Sequence, residues 1–321
     1  MVIVVNVAVI GLGLIGGSLL RALAAAGYHA TGYDLDPSTR ALARDAGAQA
    51  WRVSDSIPEA IGAAELVVVA TPLPTVAQVI DEIARTGYQG IVTDVVSVKG
   101  PVRELVARSG LEAGFVGGHP MAGKETAGFA ASEPTLFDGC AWVLCLDEET
   151  DLGHWVSVAR LATALGARVV PTTAERHDRA VAAVSHVPHL LAVALAEAAT
   201  DPLASTLAAG SFRDGTRVAG SPPELIAAMC GGNADRVLEA LDLVLAHLAA
   251  ARAALASDEP IPTVRAWTEP GHTMRARWPS RPGEPRQLPV TPDALSALGA
   301  AGGWVVSVAD DGLTVTAITP V

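Results

Sequence analysis

The run Gly11-Leu-Gly13-Leu-Ile-Gly16 most constrains what this chain can fold into. The β-branched residues from Val2 to Val9 ahead of it read as a buried strand, and Ser18 to Ala26 behind it as a helix. Glycines at this spacing permit a tight turn, close approach of backbone to a ligand, and close packing of helix on strand. The helix N-terminus that they open attracts an anion such as a pyrophosphate. Asp34 stands at the end of a second strand, His29 to Tyr33, 18 positions after Gly16. A carboxylate there accepts hydrogen bonds from adenosine ribose hydroxyls and repels a 2′-phosphate, so the unit reads as a dinucleotide site that favours NAD. A strand-to-helix turn with no ligand is the alternative for the glycines alone.

The same stretch excludes a membrane span or signal peptide as the reading of the apolar start. No basic leader precedes it, and Asn6 and four glycines interrupt it. Beyond it, strands and helices alternate as in a parallel sheet covered by helices. Pro37 to Ala46 reads as a helix and Leu66 to Ala70 as a strand. Thr71-Pro72-Leu73-Pro74 follows, whose prolines cannot continue a ladder. Strands are also expected at Gly90 to Asp94, Phe115 to Gly118, Ala141 to Leu146 and Arg168 to Val170, with a helix at Gly153 to Leu165. From Thr173 strand signals stop. Val237, Leu238, Leu241, Val244, Leu245 and Leu248 form one stripe of a helix from Arg236 to Ala256, and Val187 to Ala199 is apolar on nearly every face. Such a helix suits a core or a subunit interface.

The 321 residues are therefore read as an α/β chain: an N-terminal Rossmann-like nucleotide-binding domain (1–172), an all-α substrate and dimerisation domain (173–257), and a small extension (258–321). Nine of the 21 prolines lie between Pro260 and Pro320, which predicts a loose segment to about Pro289. A short helix at Leu295 to Ala300 and a hairpin around Asp311-Gly312 would follow. A formal charge of -12 argues against nucleic acid or an anionic membrane as partner, and an anionic substrate would need a local cationic site. Cys140, Cys145 and Cys230 form no paired spacing, which fits unpaired thiols in a reducing cytoplasm; no disulfide, structural zinc or other metal is expected.

Four further groups carry candidate chemistry. Ser97 and Lys99 follow the strand ending at Asp94, on the carboxyl edge where open α/β sheets bind ligands; a helix cap and a solvated surface lysine are their plainer readings. His119 sits in Gly117-Gly118-His119-Pro120-Met121-Ala122-Gly123, a tight loop that presents an imidazole of near-neutral pKa, suited to accepting a proton as hydride leaves. Ser185-His186-Val187-Pro188-His189 opens the apolar helix, and its two histidines lack a third metal ligand in any obvious motif. Gly210-Ser211-Phe212-Arg213-Asp214-Gly215-Thr216-Arg217 offers guanidinium groups that can fork a carboxylate, unless one of them only pairs with Asp214 or Asp178.

These segments, with Gly11 to Ser18 and Asp94 to Lys99, resemble in order the prephenate and arogenate dehydrogenases of tyrosine biosynthesis, over about residues 5 to 256. The resemblance implies an NAD-dependent oxidative decarboxylation of prephenate to 4-hydroxyphenylpyruvate and carbon dioxide, with arogenate as the alternative substrate, in a cytoplasmic homodimer. It implies that His119 takes the proton of the ring C4 hydroxyl, that Ser97 orients His119 and that hydroxyl, and that Arg217 binds a substrate carboxylate. Ser185, His189, Gly210 and Asp214 match positions around the substrate, and His186 matches a structural one. Gly11, Gly13, Leu14, Ile15, Gly16, Asp34, Thr71, Pro72 and Ser97 are the expected cofactor contacts. Two departures stand out: Ile226 occupies a position where the family often has tryptophan, and the last sixty residues do not read as a regulatory domain. A β-hydroxyacid dehydrogenase would centre on a lysine in the helical domain, and no lysine follows Lys124. A non-catalytic NAD sensor would not need His119, Ser97 and Arg217 together.

Overall fold

The computed structural model describes residues 5–47, 49–124 and 126–321, so Val2 to Val4 of the expected first strand lie outside it. Six parallel strands form the first sheet: β1 (Asn6–Ile10), β2 (His29–Tyr33), β3 (Arg52–Val53), β4 (Leu66–Val69), β5 (Ile91–Asp94) and β6 (Phe115–Val116). Their order is β3-β2-β1-β4-β5-β6. Strand order reverses between β1 and β4, which leaves a crevice at their carboxyl ends. The central strands are apolar without a break because both faces are covered. Val7, Val9, Leu66 and Val68 point into one core with Leu19, Leu20 and Leu23. Ala8, Ile10, Val67 and Val69 point into the other with Ile80, Ile83 and Val102.

At Gly117 the chain leaves this sheet and enters a second one. There β7 (Gly118–Pro120), β8 (Ala141–Cys145), β9 (Arg168–Thr172), β10 (Arg286–Pro289), β11 (Trp304–Val308) and β12 (Thr314–Ile318) run in the order β10-β12-β11-β9-β8-β7. The strands expected at Ala141 to Leu146 and Arg168 to Val170 thus lie not in the nucleotide sheet but in this second, mixed one. Helix Leu152–Ala164 lends Trp155, Val158 and Leu161 to the core that also holds Val7 and Leu19, so the two sheets share a hydrophobic centre.

The extension differs from its reading as a loose segment. Pro260–Ala276 is a helix with prolines in its first turn, where the missing N–H would have had no intrahelical partner, and with Pro270 inside it. The chain then returns to the nucleotide half. Val305 pairs with Val169, and Leu295, Leu298, Val305, Val315 and Ala317 are buried in the same core as Trp155. Glycine is required at 299, because a Cβ there would lie 1.7 Å from the Pro171 carbonyl oxygen.

Between Ala174 and Ala198 the chain forms one continuous helix, widened by a π-turn at Ala182–His186. It is long and apolar enough to cross a membrane by length and composition alone, with a mean hydropathy of 1.5 in its most apolar window. Within the single chain Val187–Ala198 buries only Val187 and Ala192, so the all-round burial expected of it is not met within this chain.

Candidate active site

The ends of β1, β2 and β4 assemble the nucleotide edge. The Gly11 amide donates to the Tyr33 carbonyl at 2.7 Å, and the Leu12 amide donates to Asp34 Oδ2 at 2.7 Å, fastening the glycine turn to the second strand. At Gly11 the φ angle is +99° and a Cβ would come within 2.6 Å of the Ala70 oxygen; at Gly16 a Cβ would meet the Gly11 oxygen at 1.8 Å. Neither position admits a side chain. Gly13 differs, since a Cβ there meets nothing within 4 Å: the space above the turn is open. Helix Leu14–Ala25 begins there with no side-chain cap and no acidic residue in its first turn, leaving its amides and positive dipole end for an anion. Beside it Thr71 Oγ1 is buried without a hydrogen-bond partner. An open cradle, uncapped amides and an orphaned hydroxyl fit a dinucleotide pyrophosphate held by Gly11, Gly13, Leu14, Ile15, Gly16, Thr71 and Pro72, with Asp34 placed for the ribose.

The ends of β5 and β7 assemble the chemistry. Lys99, 2% exposed, forms a buried ion pair with Asp94, which is fully buried. Lys99 Nζ also donates to the Gly118 carbonyl at 2.5 Å, and the Gly118 amide donates to Asp94 Oδ1 at 3.0 Å. The pair therefore grips both sides of Gly118, where a Cβ would approach the Asp94 carbonyl oxygen to 2.6 Å. Its product is a fixed backbone immediately before His119. The solvated-surface reading of Lys99 is thus wrong: its ammonium is a strut of the site.

His119 faces His177. Its Nδ1 lies 2.8 Å from His177 Nε2, the rings meet edge to face at 76°, and His177 Nδ1 lies 2.7 Å from Asp178 Oδ1. Asp178 also accepts the amides of Lys99 at 2.8 Å and Gly100 at 2.7 Å. Burial holds His119 well below the ordinary histidine range, helped by the Lys99 ammonium and by His177 and His186, which compete with it for a proton. Burial likewise lowers His177, against the pull of Asp178. Asp178 is pushed up by its own burial, but the donors from His177, Gly100 and Lys99 outweigh this and keep its carboxyl below the usual range. His186 is lowered to about 4, chiefly by burial, and its Nδ1 lies 3.3 Å from Asn233 Nδ2, which also donates to the Asp178 carbonyl.

Residues 19–171 match the family model described as prephenate dehydrogenase, nucleotide-binding domain, and residues 173–266 match prephenate dehydrogenase, dimerization domain. The chain belongs to the prephenate dehydrogenase family. It is 32% identical over 244 residues to a prephenate dehydrogenase of Bacillus subtilis, a match that covers 72% of this chain and 65% of that relative's length. The structure of prephenate dehydrogenase from A. aeolicus in complex with hydroxyphenyl propionate and NAD+ superposes with a TM-score of 0.78 at 27% identity, covering 85% of this chain and 97% of that one. Synechocystis arogenate dehydrogenase gives 0.72 at 29% identity, covering 85% and 99%.

On the helical side of this prephenate dehydrogenase family member, His189 Nδ1 lies 2.8 Å from the Ser185 carbonyl oxygen, and both residues are half-buried one turn apart across the end of the π-turn. Wide turns of this kind concentrate at functional sites, since they rotate the residues beyond them. Helix Gly210–Thr216 and the following turn pack against Val187–Ala198, which brings Gly210, Asp214 and Arg217 to the same region, all three exposed in the single chain. Ser97 is half-buried beyond β5. Sequence reasoning missed His177 and placed Asp178 only as a partner for an arginine. Arg176-His177-Asp178-Arg179 looks like the solvated first turn of a helix, and only the fold brings that turn beneath His119.

Proposed function

We propose that this chain is an NAD-dependent prephenate dehydrogenase, acting as a homodimer, with arogenate as the second substrate to test. The observation that supports it most is the placement of a half-buried His119 of lowered pKa next to Gly118, which Asp94 holds at the end of β5, beside the strand β4 that leads to Thr71 and pairs with β1 before the glycine turn. Bound NAD supplies the hydride acceptor. Ser97 and His119 hold the C4 hydroxyl of the ring, and His119 takes its proton as the C4 hydride departs. The bond from C1 to the ring carboxylate then breaks, its electron pair enters the ring, carbon dioxide leaves, and the proton on His119 returns to the oxygen of the new phenol. Aromatisation supplies much of the driving force, so the protein's part is to position two rings and hold one proton.

Arg217 binds a substrate carboxylate through its guanidinium fork, with Ser185, His189, Gly210 and Asp214 around it. Ile226, half-buried where the family often has tryptophan, changes the packing near the substrate side chain and makes the choice between a pyruvyl and an alanyl group the point to measure. The test follows NADH formation with prephenate and arogenate in parallel, using NAD and then NADP. Turnover with NAD and prephenate is expected, with kcat/KM at least tenfold lower for NADP. No turnover of either substrate refutes the reading.

A further inference from the structure

The hydrogen bonds around Asp178 determine which nitrogen of His119 carries a proton. Asp178 Oδ1 receives the Lys99 amide and faces His177 Nδ1, and Oδ2 receives the Gly100 amide. Surrounded by donors, this carboxylate acts as an acceptor only, so His177 Nδ1 must carry a hydrogen. Burial keeps His177 neutral, which leaves its Nε2 bare. At 2.8 Å from that bare nitrogen, His119 Nδ1 must be the donor. His119 Nε2 is then the unprotonated nitrogen, with its lone pair available to a substrate hydroxyl.

We propose that His177 and Asp178 are positioning residues of the reaction: they fix His119 in its Nε2-accepting tautomer and share the charge that develops when it takes a proton. This rests on the dehydrogenase reading above. As the C4 hydroxyl proton bonds to His119 Nε2, the proton on His119 Nδ1 moves along the existing hydrogen bond to His177 Nε2. The positive charge comes to lie on His177, which keeps its Nδ1 proton and faces the ionised Asp178. The shift reverses when the proton returns to the phenol oxygen, so the relay ends the cycle as it began. Lys99 opposes an imidazolium at either ring, but on His119 that charge would be in contact with no carboxylate, whereas on His177 it is paired with Asp178.

Four measurements test this. The His177→Leu enzyme is expected to lose about 100-fold in kcat with KM within about threefold, the size of a lost acid–base contribution. In a His119→Asn background the same substitution is expected to cost less than about threefold, because residues acting through one group are not additive. A His177→Leu enzyme, folded by circular dichroism, with near-normal kcat overturns the proposal; so does a full 100-fold loss in both backgrounds. His177→Gln keeps an acceptor for His119 Nδ1 and is expected to recover at least about fivefold over the leucine variant; no recovery overturns the tautomer role. Finally, the 15N spectrum of the wild-type enzyme with NAD should show His119 protonated at Nδ1 and bare at Nε2, and the opposite tautomer overturns the relay. That spectrum needs no substrate. A wrong tautomer therefore defeats the relay alone, whereas absent wild-type turnover with both substrates defeats the functional reading.

Discussion

A proton acceptor works only while it is bare, and the surroundings of His119, proposed above as that acceptor, favour its neutral form. Its pKa in the fold lies below the ordinary 6.5, first because of its burial and then because Lys99 opposes a positive charge beside it and His177 and His186 compete for the proton. In the proposed mechanism the deprotonated ring is the active form, so kcat/KM should stay level as pH falls from 8 through 6.5 and decline only in more acid solution; an acidic limb centred at pH 7 or above contradicts the assignment. The same sign governs stability. Below pH 6.5 the unfolded chain takes up protons that folded His119, His177 and His186 refuse, so stability is lost as pH falls from there toward the folded pKa of about 4 at His186. Lys99 presents the opposite case, a charge that must be present. Lys99→Met would strand the fully buried Asp94 carboxylate with only the Val96 and Gly118 amides, at 3.0 Å each, for partners. Removing one member of a buried ion pair typically costs about 3 to 5 kcal/mol, and urea unfolding should show a loss of that size.

At the scale of elements, the legible features were those whose requirements are written in adjacent residues. The Gly11–Gly16 turn needs glycine where backbone meets backbone, and the strand, turn and helix around it appear where expected. The glycine before His119 was legible for the same reason, since Gly118 abuts the Asp94 carbonyl oxygen, but the tight loop expected around His119 is strand β7, in which His119 pairs with Val143. What was not legible depends on residues distant in sequence: β7 pairs with β8, β11 pairs with β9, and Asp178 reaches the amides of Lys99 and Gly100. No local pattern encodes these registers. The proline count of the extension misled in a similar way, because several of those prolines stand in first turns of helices, where they are tolerated. Helix Pro292–Ala300 and strands β11 and β12 complete the core around Trp155, so the extension is expected to be necessary for folding of the nucleotide half. Leu295, fully buried, gives the measurable form of this: Leu295→Ala should lower unfolding free energy by about 2 to 5 kcal/mol in urea. A loss below 0.5 kcal/mol would mean that the extension is a passive appendage.

For the whole molecule, the exposed leucines of the helical half are the remaining imbalance. Leu195 is 53% exposed, Leu238 58%, Leu245 52% and Leu248 47%, and helix Ala234–Leu255 buries only Val237 and Ala254 within its own chain. Apolar faces of this kind mark an interaction surface, and the family model over residues 173–266 is that of a dimerization domain. A second copy of the same chain would cover them with matching leucines across a two-fold axis. The helix bearing Gly210 and Asp214 packs on the helix bearing Leu195, so covering that face would also steady the substrate side of the proposed site. Sedimentation should therefore give a dimer at micromolar concentration. Leu245→Asp combined with Leu248→Asp should raise the dissociation constant at least about 100-fold, which is about 2.7 kcal/mol, by placing unpaired carboxylates in an apolar contact. The dissociated form should show a raised KM for the substrate while its affinity for NAD, read by fluorescence quenching, stays within about threefold, because the glycine turn and Asp34 belong to the other half of the chain. A wild-type monomer at these concentrations, or a dissociated variant with unchanged KM, would show that the leucine face plays no part in building the substrate site.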